Sequence, residues 1–204
     1  MSTLTVAKDL GKYHLLSVAL VAVTCVICAS GVPPEDEARA AELAKWRAML
    51  PKIESLLTRQ GDLCQPGSMR AGPVDAADFA GNTFALVDAC PLGAYTELII
   101  AMRLDAGEPV LAHFRKNNRQ IDAEFSRGAS AMHGKDVKLV PEKHAIYDIS
   151  LDNDGIDSAG TVRLEKCVVD TYIWNTQAGA FDYDQKLTNR ATQNYCHALE
   201  HQAH

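Results

Sequence analysis

From residue 82 the chain is a succession of short β-branched or aromatic runs, each cut by Gly, Pro, Asn or Asp. No other feature limits the fold as tightly. The runs are NTFALVDA, YTELIIAMRL, PVLAHFRK, QIDAEFSR, KLVPEKHAIYDISLD, GTVRLEK and CVVDTYIWN. Turn signals recurring every 8–12 residues or so mark an antiparallel meander, closed as a sandwich or barrel or left as a single curved sheet. Alternation of apolar and polar residues is clearest in 123–126 (AEFS) and 170–174 (DTYIW), as expected where one strand face meets a core and the other meets water. Asn175-Thr-Gln-Ala-Gly179 reads as a turn, and Ala180-Phe-Asp-Tyr183 as the strand returning from it.

Helical patterns bracket these strands. Leu43, Trp46, Leu50, Ile53 and Leu57 recur at helical spacing behind an acidic start, EDE at 35–37. Pro51 falls inside this pattern, so a kink or a restart with proline in the first turn is expected there, and Gly61 is the expected C-terminal cap. The stripe could serve as a coiled partner surface, but it is short, which favours packing on its own domain. Near the C-terminus Thr188 or Asn189 is expected to cap a final helix, ATQNYCHALEH. The fold class that follows is α+β: an N-terminal helix, an antiparallel β-meander and a C-terminal helix.

The first thirty residues look like a targeting segment. Lys8 and Lys12 precede an apolar run, Leu15–Ala29, which ends at small residues and Pro33-Pro34. That run falls short of the roughly 20 residues a spanning helix needs, so a cleaved secretory signal is the expectation. An uncleaved anchor and a lipid anchor are the weaker readings; Thr24 and Ile27 precede Cys25 and Cys28, where small residues are usual before a lipidated cysteine. The domain plan is therefore a signal peptide at 1–30, a linker and helical segment at 31–62, and a β-rich domain with its helix at 63–204.

Removing Lys8, Asp9 and Lys12 takes the formal charge from −6 to −7, and a net acidic chain with no basic stripe disfavours nucleic acid. Cys64, Cys90, Cys167 and Cys196 remain, an even number that suggests two disulfides in an oxidising compartment. Of the three connectivities, sequence proximity favours Cys64–Cys90 and Cys167–Cys196. No C-x-x-C pair occurs among the four, so a zinc ribbon or a thioredoxin-type redox site is not expected.

Candidate chemistry is sparse. His197-Ala-Leu-Glu200-His201 fits the H-x-x-E-H pattern of inverted zinc proteases, with two histidines one helical turn apart. The pattern specifies only three positions, and Cys196 beside it is better explained as a disulfide. Ser126-Arg-Gly-Ala-Ser130 lacks the second glycine of a nucleophile elbow. His113 and His144 fall inside strand-like runs. No catalytic residue is assigned, and the chain is read as a non-enzyme.

One acidic stretch, DISLDNDGIDSAG at 148–160, stands out. A calcium loop needs hard oxygens at alternate positions around a glycine, and Ser150, Asp152 and Asp154 before Gly155 supply that pattern. Asp148 and Asp157 could add carboxylates. No glutamate lies six residues past the glycine, where position 161 is Thr, so this is not an EF-hand. A solvated Asp-Gly turn explains the same residues equally well.

Residues 144–190 resemble a group of bacterial exported proteins related to periplasmic lysozyme inhibitors and immunity proteins. The resemblance rests on Asp152, Asp154, Gly155 and Asp157 as an acidic D-x-D-x-D-G-x-x-D loop. It is followed by Tyr172, Trp174, Gly179 and Phe181 as a Y-x-W-(turn)-G-x-F hairpin, and by Leu187 in a short tail. Ser150 and Ser158 stand where that pattern places aspartates, and Asp157 comes one place early. The resemblance implies a periplasmic or secreted binding protein that inhibits a cell-wall hydrolase, with calcium held by the acidic loop. Asn153, Tyr172, Trp174, Asn175 and Gln177 are then the candidate partner contacts. The alternative is a calcium-binding structural or surface-associated module without an enzyme target.

Overall fold

The computed structural model describes residues 34–60, 64, 67–92, 96–129, 133–156 and 162–202. Residues 39–204 form one compact unit; of the unit before them, 1–38, only the opening of the first helix is described. That helix, α1 (Pro34–Ala48), stops at Met49, and α2 (Leu50–Arg59) restarts with Pro51 in its first turn. The restart is the one the sequence predicts, because a proline in the first turn loses no intrahelical hydrogen bond. Gly61, the expected cap, lies outside the described residues; Gln60 ends α2 in right-handed conformation.

Among the described residues eleven strands follow: β1 (Gly72–Phe79), β2 (Asn82–Pro91), β3 (Thr96–Asp105), β4 (Glu108–Leu111), β5 (Phe114–Lys116), β6 (Arg119–Ile121), β7 (Glu124–Ala129), β8 (His133–Val140), β9 (Ala145–Ile156), β10 (Val162–Asn175) and β11 (Ala180–Tyr183). Helix α3 (Gln185–Gln202) closes the chain. The sheet runs β1-β2-β3-β7-β8-β9-β10-β11-β5-β6, with β4 attached to β3. Among the described residues every pairing is antiparallel except β11 with β5, which the chain reaches from the far side of the sheet. Among the described residues no helix is long and apolar enough to cross a membrane.

The sheet folds back on itself. Phe84 on β2 meets Trp174 on β10 and Phe181 on β11 at 4.7 and 4.9 Å between ring centroids, and Phe114 on β5 meets Phe125 on β7 at 5.3 Å. Among the described residues β7 and β8 share just the pairs Gly128↔Lys135 and Ala129↔Gly134. At the seam where β1 approaches β8, the Asp75 carboxylate accepts the Leu139 N–H at 3.3 Å and pairs with Arg39 at 2.9 Å. Offset and edge-to-face ring packing between the two halves, added to their buried area, forms the main core.

Strand register is fixed by three two-residue turns in which both residues have positive φ: Ala80-Gly81, Ala106-Gly107 and Asn117-Asn118. This is the type I′ geometry whose twist matches antiparallel strands. β2 and β3 are buried on both faces. Leu86, Ile99 and Ala101 point into the aromatic core, while Val87, Leu98, Ile100 and Met102 meet Trp46, Ile53 and Leu57 of α1 and α2. Double burial explains why ALV and LIIAM read as unbroken apolar runs rather than alternations.

Helix α3 covers a different feature. Its stripe lies along the edge of β10 that β11 leaves unpaired, and Cys167–Cys196 joins the two. The other disulfide, Cys64–Cys90, ties the chain after α2 to β2. Both are the pairings sequence proximity favours.

Several expectations change. The α3 cap is Asp184, not Thr188 or Asn189: its carboxylate accepts the Leu187 N–H at 2.8 Å, and Thr188 is already in the helix. The run 138–152 is split by a 3-10 turn at Pro141–Lys143, whose end His144 takes φ 49°, so His144 is not in a strand. His113 occupies the link between β4 and β5, where its carbonyl accepts the Phe181 N–H. The described part of the run 160–166, from Val162, fuses with 167–175 into one 14-residue strand. β1 has no counterpart among the sequence runs.

Candidate functional site

The hairpin β10–β11 and the neighbouring part of β9 carry most of the candidate residues. Tyr172 pairs with Tyr183 and Trp174 with Phe181 across the hairpin. Both side chains point into the sandwich, where Tyr172 is 5% and Trp174 8% exposed. They anchor the hairpin from beneath. Its surface is formed instead by Thr176, Gln177 and Ala178, all exposed, between half-buried Asn175 and Gly179.

A polar network outside the core stiffens this turn. Arg115 donates two hydrogen bonds to Asp182, at 2.6 and 2.7 Å. Asn175 donates to the same carboxylate at 2.8 Å, and its own oxygen accepts the Ala178 N–H at 3.1 Å. The Arg115 hydrogen bonds hold the Asp182 carboxyl below the usual range, with Asn175 adding to the effect. Sixty-seven residues separate Arg115 from Asp182, so only the parallel β11–β5 pairing brings them together. A shallow cleft runs along the turn, lined by Ile173, Asn175, Gln177, Asp182, Tyr183 and Asp184 among others.

The acidic stretch is placed otherwise than expected. Residues as far as Ile156 belong to β9, so the backbone of positions 152–156 is extended strand. The segment 157–161, with Asp157, lies outside the described residues. Asn153 pairs in register with Leu164, and Asp154 lies on the same strand. Asp148, Ser150 and Asp152 share the inward face of β9, where residues two apart are spread by about 6.6 Å. Among the described residues no three His, Cys, Asp or Glu side chains converge as a metal site.

That inward face holds a cluster the sequence did not reveal. Asp148 lies opposite Asp170 on β10. Burial first, then the Asp170 charge, raises the Asp148 carboxyl above its ordinary range, with Lys135 and Lys116 opposing. Lys116 pairs with Asp170 at 3.6 Å and lies 3.9 Å over the Tyr183 ring. Tyr172 adjoins this group, and burial, Asp170 and Asp148 together push its phenol well above the usual range. The inner face of the sandwich is thus apolar at the Trp174 end and charged at the Asp148 end.

His197 is on α3 next to Cys196 and is exposed; the side chains of Glu200 and His201, and residue His204, lie outside the described residues. Comparison with family models, with curated proteins and with solved structures finds no match to this chain.

Proposed function

We propose that this chain is an exported, non-enzymatic binding protein that inhibits a secreted or periplasmic cell-wall hydrolase, with the β10–β11 turn as the inserting element. The observation that supports this is the exposed Thr176-Gln-Ala178 tip held on a rigid base. Below it Tyr172, Trp174 and Phe181 are packed in the core, and beside it Asn175, Asp182 and Arg115 are cross-linked by charge-assisted hydrogen bonds. A tip ordered before encounter spares the entropy of ordering on binding. The net negative charge favours encounter with a basic hydrolase. Two disulfides fit an oxidising compartment.

Immobilised protein exposed to envelope and secreted fractions, with calcium and with chelator, tests this reading. Stoichiometric capture of a peptidoglycan hydrolase, lost in Gln177→Arg, is the expected result. Capture unaffected by Gln177→Arg removes the turn from the interface, and no hydrolase in either condition removes the proposal. A second reading is a calcium-binding structural or surface module, which rests on the acidic pattern of Asp148, Ser150, Asp152, Asp154 and Asp157 in the sequence. Calcium-dependent melting without any hydrolase inhibition would select it.

A further inference from the structure

The contact between α3 and β10 has a regular spacing. In β10 the N–H groups of residues 168 and 170 face β9, so those of Val169 and Thr171 face outward, beyond the reach of β11. Val169 N–H is accepted by the Thr192 hydroxyl and Thr171 N–H by the Thr188 hydroxyl, both at 2.9 Å. The Thr171 carbonyl accepts the Asp184 N–H, also at 2.9 Å. Cys196 then bonds to Cys167, with 6.0 Å between the Cα atoms. Four helical residues rise about 6 Å and two strand residues about 6.6 Å. Positions 188, 192 and 196 therefore step along 171, 169 and 167 in register, and α3 occupies the place of a missing strand.

We propose that α3 is a redox-released cover for the β10 edge: reducing Cys167–Cys196 frees α3, and residues 167–171 then pair antiparallel with the same edge of a second copy. A dithiol reductant gives up two electrons and closes to its own disulfide, and two protons end on the Cys167 and Cys196 sulfurs. Cys167 and Cys196 are both partly exposed, so a thiolate can reach the α3 bridge. Cys64 of the other bridge is partly exposed as well, so a Cys167→Ser, Cys196→Ser variant is what isolates the effect of the α3 bridge. Without it the helix is held by the two threonine hydroxyls, the Asp184 N–H on the Thr171 carbonyl, Lys138 over the Tyr195 ring, and an apolar contact of Ala191 and Tyr195 with Tyr147, Ile149, Leu151 and Val169.

A second copy fits the uncovered edge because the outward groups at 167, 169 and 171 are symmetric about Val169. A two-fold axis there sets Val169 against Val169 and Cys167 against Thr171 in an isologous ladder. Cys-Val-Val-Asp-Thr has high β-propensity, and Asp170 points inward to Asp148 and Lys116, so it brings no like charge to the junction.

Amide exchange and sedimentation velocity, on the oxidised protein, on the protein after mild dithiothreitol treatment and on a Cys167→Ser, Cys196→Ser variant, test this. Diluted to where the opened protein is monomeric, exchange at Val169 and Thr171 should rise at least about tenfold, the loss of roughly one hydrogen bond's protection, while Leu86 and Ile100 keep their rates. At higher concentration the mass should double and the new ladder should protect both amides again. Persistent protection of Val169 and Thr171 in the dilute, opened monomer overturns the proposal. So does acceleration of Leu86 and Ile100 by the same factor, which means global unfolding, and so does an opened protein that stays monomeric. Thr188→Val with Thr192→Val, disulfide intact, should loosen the two amides and remain monomeric; a dimer there shows that the disulfide is not the lock.

Discussion

β2 and β3 form one kind of sheet, β9 and β10 another. The first pair is covered on both faces, by the aromatic core inside and by Trp46, Ile53 and Leu57 outside. The second is covered inside only at its Trp174 end, passes to Asp148 and Asp170 at the other, and is guarded by a helix whose key contacts are hydroxyls and a disulfide. Hydrophobic burial is non-directional and suits a scaffold, whereas directional hydrogen bonds at an edge can be undone one at a time. The difference assigns stability to the β2–β3 side and adaptable chemistry to the β9–β10 side.

Trp46→Ala attacks the scaffold most directly. Trp46 is fully buried, and truncation should cost about 3–5 kcal/mol in chemical denaturation. A loss no larger than that of Thr188→Val would break the contrast. Thr188→Val keeps the shape of the side chain but leaves the buried Thr171 N–H without its acceptor, at about 1–3 kcal/mol. Its exchange protection should fall at Thr171 and leave Leu86 unchanged.

Ala106→Asn sharpens the scaffold side. Ala106 is held at φ 49° in the β3–β4 turn, a conformation that Asn tolerates and Ala resists. A gain of about 0.5–1 kcal/mol is expected by thermal denaturation. Asp148→Asn reports on the charged end, with the smallest effect at any one pH. The Asp148 carboxyl is raised in the folded state by burial and by Asp170, so its stabilising protonation is complete below the unfolded value and is lost as pH rises through the folded one. At neutral pH the ionised group is a burden; Asn should therefore melt higher than wild type there, with the advantage shrinking toward acid. An advantage that grows toward acid would contradict this assignment.

Much of the scaffold was legible in the residues. Turn punctuation after residue 82 predicts the antiparallel strands, the Leu43–Leu57 stripe predicts the helix on the sheet, and Pro51 predicts its restart. β1 was not legible, because GPVDAADF is rich in Ala and Asp, which isolated strands avoid; it is a strand because the Ala80-Gly81 turn lays it on β2. The candidate site was legible only as a list. Tyr172 and Trp174, candidate partner contacts on the resemblance, are core, while Arg115, which stiffens the turn, gave no signal because its partner is distant in the chain.

Period, turn chemistry and cysteine count act over a few residues or through composition, so the sequence by itself determined the α+β class, the hairpins and a two-disulfide framework. Three features belong to the tertiary structure alone: the fold-back of the sheet around its aromatic core, the parallel β11–β5 pairing that builds the Asn175–Asp182–Arg115 network, and the docking of α3 along β10. Each joins residues whose attraction depends on distance in space and on exclusion of water. Neither quantity exists until the chain has closed on itself.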